Sequence, residues 1–192
     1  MKEKNTKSKI VEAAWQLFYE KGYERTTVEE IIAKSGTSKG SFYHYFSSKD
    51  SLMGSLAYLF DERYDELEEK IVPDCHRIDA LLFLNKQLFE MVENSVDLEL
   101  LTRLYASQLL TKGDKELLDR NRSYYKILRR LIGEGQERGE ITREKSISEI
   151  VQLYTMAERA LLYDWCLRGG EYSLVAYAGQ IMPIFLEPLR IL

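Results

Sequence analysis

The residues with the most pointed chemistry lie close together near the front of the chain. They are Ser38, Lys39, Gly40, Ser41, Tyr43 and His44, with Thr27 before them and Lys49 after. Lys39 and His44 can donate to acceptors on guanine or to phosphate, and Gly40 removes a side chain where another backbone approaches. The Tyr43 hydroxyl can donate to a phosphate oxygen. Thr27 and Lys49 stand at the expected starts of helices, where free N–H groups and the helix dipole favour anions, so both are expected to position a phosphodiester backbone rather than read sequence. Duplex DNA is the ligand this set fits. Catalytic chemistry is poorly supplied by contrast. The two histidines, His44 and His76, are not spaced as metal ligands, and no Gly-x-Ser-x-Gly elbow or phosphate-cradling glycine loop occurs. Abundant Asp and Glu on helices are solvated faces by default, so no catalytic residue, metal or cofactor is expected. Cys75 and Cys166 lie far apart outside any Cys-x-x-Cys pair and read as reduced, partly buried thiols.

These side chains need elements to hold them, and the pattern of apolar residues is helical throughout. With 3 prolines and 11 glycines among long stretches of Leu, Glu, Lys, Ala and Tyr, the chain is expected to be all-α. Ile10, Ala14, Leu17 and Phe18 recur at helical spacing and end at Gly22, where a left-handed cap belongs. Thr27 stands three residues before Glu30, the spacing of a capping box, ahead of Val28, Ile31 and Ile32. Gly36 stops this second helix, and Ser38 is placed to cap a third. Residues 27–46 thus have the helix, glycine turn and second helix of a helix-turn-helix, with Ile31, Ile32, Phe42 and Phe46 as its small core. Tyr45 stays open between core and surface.

A fourth helix, capped by Ser47 or Ser48, is expected to run over about 48–72, through Leu52, Leu56, Leu59 and Phe60, to the break at Pro73. Further helices are expected at about 77–94, 97–110, 115–138, 147–168 and 174–190, about nine in all. Gly133 and Gly135 inside one of them permit close packing or a kink, or mark a plain helix end. On the last two, apolar residues occupy more than one face: Ile150, Val151, Tyr154, Ala157, Leu161 and Trp165, then Val175, Tyr177, Ala178, Ile181, Met182, Phe185 and Leu189. A helix apolar on several faces is buried on several faces. In a domain this small, that favours a two-fold interface with a second copy over a fully internal hairpin.

Charge divides along the chain. The net charge is −4, but residues 1–52 carry nine Lys/Arg against seven Asp/Glu, while residues 53–192 carry eighteen against twenty-four. Lys2, Lys4, Lys7 and Lys9 form a basic arm, followed by Arg25, Lys34, Lys39 and Lys49. The first residues contain no apolar leader and no window approaches the roughly 18 apolar residues of a membrane span, so a cytoplasmic protein is expected.

Three blocks of the front segment carry a specific resemblance: Lys9 to Phe18 with Gly22-Tyr23, Thr26-Thr27-Val28, and Ser38 to Phe46 with Lys49-Asp50. Together, over about residues 5–65, they resemble the DNA-binding domain of the TetR family of transcriptional regulators. Looser likeness continues in Gly135 to Ile141 and Asp164 to Arg168. The resemblance implies a DNA-binding domain at 1–50, a linking fourth helix, and a ligand-binding and dimerisation domain over 51–192. It also implies a homodimer built by the last two helices, bound to a palindromic operator and released by a small-molecule effector. Tyr105, Gln108, Tyr124, Tyr154 and Glu158 are the expected pocket residues, since bundle sites mix aromatic walls with a few polar groups. An activator or a ligand-insensitive repressor is the alternative within the class. An enzyme lacks its motifs, and a protein-binding adaptor would not need Lys39, Tyr43, His44 and Lys49 clustered together.

Overall fold

The computed structural model describes residues 6–110, 112 and 115–191, with the side chains of Leu56, Tyr58, Leu59 and Glu62 set aside. Lys2 and Lys4 of the expected basic arm lie outside the described residues. The chain divides into two compact units, one of Met1–Ala57 with Arg103–Leu117 and one of Tyr58–Thr102 with Leu118–Leu192. The expectation of an all-α fold holds: nine α-helices are described, and extended pairing among the described residues is an isolated bridge between Ile141 and Arg190.

In the first unit, α1 (Thr6–Lys21), α2 (Val28–Ser35) and α3 (Lys39–Tyr45) pack on one another. Ile10, Ala14, Trp15, Phe18, Ile31 and Phe42 form their core, and the Trp15 indole donates to Ser55 Oγ at 2.9 Å. Ile32, expected in that core, is half-buried. Gly22 and Gly36 both adopt left-handed backbone, with φ of 86° and 64°, which is why glycine ends α1 and α2.

The expected fourth helix over 48–72 is interrupted. Ser48 does cap a turn, accepting from the Ser51 N–H at 3.3 Å, but Asp50–Ser55 is a 3-10 turn and α4 spans Leu56–Glu68. Within the turn, Ser55 Oγ donates to the carbonyl of Leu52, three residues back, and the Glu116 carboxylate packs against Gly54, its carbon 2.5 Å from where a Cβ there would stand. Past Glu68, single turns close through Lys70 and Ile71 before Pro73.

In the second unit, α5 (Arg77–Ser95) packs on α7 (Ser123–Glu137) and α9 (Leu174–Leu186), and α8 (Ile147–Leu167) lies against both α7 and α9. The boundary between the units falls within α4 and within α6 (Leu98–Leu110). The helix expected from 115 begins at Ser123 instead, because Asp119 Oδ1 accepts from the Asn121 N–H at 2.9 Å and sets a turn. The last helix stops at Leu186, where a 3-10 turn containing Pro188 follows. Gly135 serves close packing: a Cβ there would lie 2.6 Å from Ile141 Cδ1 and 3.0 Å from Arg77 Cβ, so α7 runs on past it without a kink being required.

Candidate nucleic-acid interface

Helix α3 is anchored from beneath and open above. Phe42 is fully buried and Phe46 nearly so, their rings 5.9 Å apart, and this fixes the opposite face outward. Lys39, Gly40, Tyr43 and His44 are exposed and Ser41 is half-buried. Tyr45, left open by sequence, is on the surface. Ser38 is the N-cap: its Oγ accepts from the Ser41 N–H at 3.0 Å and lies 2.9 Å from Ser41 Oγ. The two hydroxyls share one hydrogen bond, which leaves one proton to donate outward.

Gly40 is the informative position. A Cβ there would meet within 4 Å just Ser38 Oγ, at 3.8 Å, and its backbone is not left-handed. Nothing in the chain itself demands glycine, although a helical glycine costs about 1 kcal/mol relative to alanine. The missing side chain leaves the surface of α3 open at this point.

The two expected backbone clamps have other partners. Thr27 forms the expected capping box: its N–H and hydroxyl donate to Glu30 Oε2 at 2.8 and 2.9 Å, and Glu30 N–H returns to Thr27 Oγ1. Glu30 also pairs with Lys21, and these contacts, Lys21 first, hold its carboxyl at about 2. The capping box thus occupies the Thr27 and Glu30 N–H groups at the start of α2. Lys49 donates to the carbonyls of Tyr23 at 2.7 Å and Thr26 at 2.9 Å, with its Nζ 4.1 Å from the centre of the Tyr23 ring. Its ammonium staples the α1–α2 turn with two of its three N–H groups, and the residue is half-buried. On the same ring sits the Arg103 guanidinium, at 4.5 Å, which also pairs with Glu24. Tyr23 in turn donates to Asp50, and burial, then this bond, raise its phenol. Arg103 was not expected here, since its partners lie far off in sequence.

A second polar constellation is buried in the second unit. Glu158, 3 % exposed, accepts from Asn85 Nδ2 at 2.8 Å, Tyr124 Oη at 2.5 Å and Tyr64 Oη at 3.3 Å, while Tyr154 Oη donates to the Leu81 carbonyl at 3.0 Å. Three of the expected pocket residues, Tyr124, Tyr154 and Glu158, thus meet. Tyr105 and Gln108 belong to the first unit, where Gln108 donates to Glu116 at 2.8 Å and accepts from the Leu117 N–H at 3.2 Å. Asn85 and Tyr64 were missed. Asn85 had a signal, being polar in the apolar stripe of Leu81, Leu84 and Leu88. A buried, bidentate pair of Arg122 with Asp61, both bonds 2.9 Å, lies in the same unit.

Burial raises the Glu158 carboxyl, against the lowering effect of its donors, and raises Tyr64, Tyr124 and Tyr154 as well. Because the folded form holds its proton more tightly than the unfolded form at its ordinary 4.5, stability from this group is full below that value and falls as pH rises toward the folded-state value. Glu158→Gln is expected to abolish that slope in urea unfolding measured across pH. Glu158→Ala, which strands the hydroxyls of Tyr64 and Tyr124, is expected to cost about 2–4 kcal/mol. Equal pH dependence in wild type and Glu158→Gln would contradict the assignment.

Among the described residues, no group of three or more His, Cys, Asp or Glu is placed to hold a metal, and no helix is long and apolar enough to cross a membrane. Residues 10–56 match the family model for bacterial regulatory proteins of the tetR family, and residues 59–187 match that for the C-terminal region of YsiA-like proteins. The fatty acid metabolism regulator protein of Bacillus subtilis is 24% identical over 195 residues, covering 99% of both chains. Among solved structures, the fatty acid degradation regulator FadR of Bacillus halodurans superposes with a TM-score of 0.69 at 22% identity, covering 96% of this chain and 100% of the other. Thermus thermophilus FadR, a repressor solved in complex with lauroyl-CoA, superposes with a TM-score of 0.69 at 20% identity, covering 96% and 95%.

Proposed function

The chain belongs to the TetR family of bacterial transcriptional regulators, and on that premise we propose that it is a homodimeric repressor, released from a palindromic operator by an acyl-coenzyme A thioester. The observation that carries the DNA contact is α3, with Lys39, Gly40, Tyr43 and His44 exposed above buried Phe42 and Phe46. In this reading Lys39 and His44 reach base edges, while Tyr43 and the Ser38–Ser41 pair hold phosphates. Residues 1–50 act as the DNA-binding domain and 51–192 as the regulatory and dimerisation domain, in the cytoplasm, where the operator is.

The effector class is supported by relatives. The Bacillus subtilis protein, aligned over nearly the whole of both chains, is a fatty acid metabolism regulator, and the Thermus protein holds lauroyl-CoA. The dimer is supported by the outer faces of α8 and α9. On α8, the residues first read as two-sided, Ile150 to Trp165, all serve this chain's own core, and the exposed apolar residues are Met156, Tyr163 and Leu167, with Tyr177 and Ile184 on α9. Their spacing by seven and four residues on α8, and seven on α9, places each set on one stripe. Such stripes on the helices 147–168 and 174–190 fit a two-fold interface.

The experiment is fluorescence anisotropy of the protein on DNA upstream of its own gene, titrated with lauroyl-CoA and longer acyl-CoA. Release by acyl-CoA at concentrations where the free fatty acid has no effect is the expected result. Binding indifferent to every chain length would remove this effector class and leave the DNA contact to be judged separately.

A further inference from the structure

Arginines elsewhere in the second unit, among them Arg77, Arg122, Arg130 and Arg190, reach carboxylates. Arg120, Arg129 and Arg159 are different: no ion pair joins any of them to a carboxylate of the described residues, and all three line one groove between α7 and α8. The groove holds about 230 Å³, and Tyr125, Ser148, Gln152 and Thr155 complete its polar lining with no acidic residue among them. Arg129 Nη2 donates to the Arg120 carbonyl at 2.9 Å and Arg159 Nη1 to the Tyr125 hydroxyl at 3.4 Å, so each keeps further N–H groups free.

Three cations gathered without a counter-charge repel one another, and Arg129 and Arg159 are also half-buried, which weakens their solvation. No ion pair among the described residues offsets that cost. From it we infer that the groove is an anion subsite for a phosphate-bearing ligand. Guanidinium groups match phosphate oxygens with paired, charge-assisted hydrogen bonds, and Ser148, in the first turn of the 21-residue α8, adds a hydroxyl at the positive end of the helix. The volume exceeds that of several waters at about 30 Å³ each, room for a diphosphate as well as a single phosphate. The subsite stands whether or not an acyl-CoA is the effector, since it rests on the unpaired arginines alone. Its occupant is either a free inorganic anion or the phosphate of a larger ligand.

Titration calorimetry of the full chain with inorganic phosphate, pyrophosphate and coenzyme A tests this. Saturable binding is expected for at least one, weakening at least about tenfold in the double variant Arg129→Gln/Arg159→Gln and falling with salt. Arg143→Gln, at an arginine outside the groove that bonds the Gln136 carbonyl, is expected to bind as wild type. Coenzyme A binding at least tenfold tighter than pyrophosphate supports a tethered phosphate, and equal binding supports a free anion; either sustains the subsite. No saturable binding of any of the three, or equal weakening by Arg143→Gln, overturns it. DNA binding without added anion is expected to be unchanged in all variants, so loss of the subsite leaves the repressor reading standing.

Discussion

Leu167→Glu combined with Ile184→Glu is expected to turn the protein into a monomer and to weaken binding to a full operator by about 10²–10⁴-fold. Leu167 and Ile184 are 67% and 65% exposed, the most open large apolar residues on α8 and α9. Leaving each in water forgoes about 1.5–3 kcal/mol that burial against a second copy would return. In a two-fold interface every substitution is made twice, so the new carboxylates face their own copies and add repulsion to lost burial. Two heads held together bind the second half-site as an intramolecular event, and a monomer loses that gain. Because both side chains already point outward, each chain should still fold, which circular dichroism can check. Sedimentation measures the oligomer and anisotropy the affinity. A double variant that stays dimeric would show that another surface makes the assembly, and a monomer with full operator affinity would remove the need for one.

Gly40→Leu is expected to leave the fold intact, or to stabilise α3 by up to about 1 kcal/mol, while weakening operator binding by about 100-fold or more. The two effects have separate causes. Within the chain, the new Cβ meets open space apart from Ser38 Oγ at 3.8 Å, and leucine is a better helix former than glycine. Against DNA, a four-carbon side chain stands where α3 must approach the groove closely, and close packing there does not yield. Thermal unfolding and anisotropy on the same sample separate the two. A variant that binds as well as wild type would place the docking surface elsewhere.

Local signals were legible in the sequence and tertiary ones were not. The Thr27–Glu30 capping box, the Gly22 and Gly36 ends and the Ser38 cap all rest on contacts within five residues, and each appears in the structure. Phe42 and Phe46 were legible as core because a spacing of four residues puts them on one face at α3, and Ile31 on α2 is buried with them. The contacts of Lys49 within the chain were not legible, for the opposite reason. Its place at the expected start of a helix pointed to phosphate, and a lysine stem is also long enough to reach the Tyr23 and Thr26 carbonyls, 26 and 23 residues back. Arg103 lies 79 residues from Glu24, and Tyr64 lies 94 from Glu158, separations at which no periodicity operates. Tyr124, Tyr154 and Glu158 could be grouped as the aromatic walls and polar group of a bundle site, yet the same reasoning admitted Gln108, whose amide is used within the first unit.

The central claim, that α3 lies in the major groove once per subunit, is tested most directly by footprinting the purified protein on the DNA upstream of its own gene. The account predicts a protected palindrome with two half-sites related by two-fold symmetry, whose protection vanishes in Gly40→Leu and fades steeply with salt. Protection that persists unchanged in Gly40→Leu, or no protection at low salt, would contradict it.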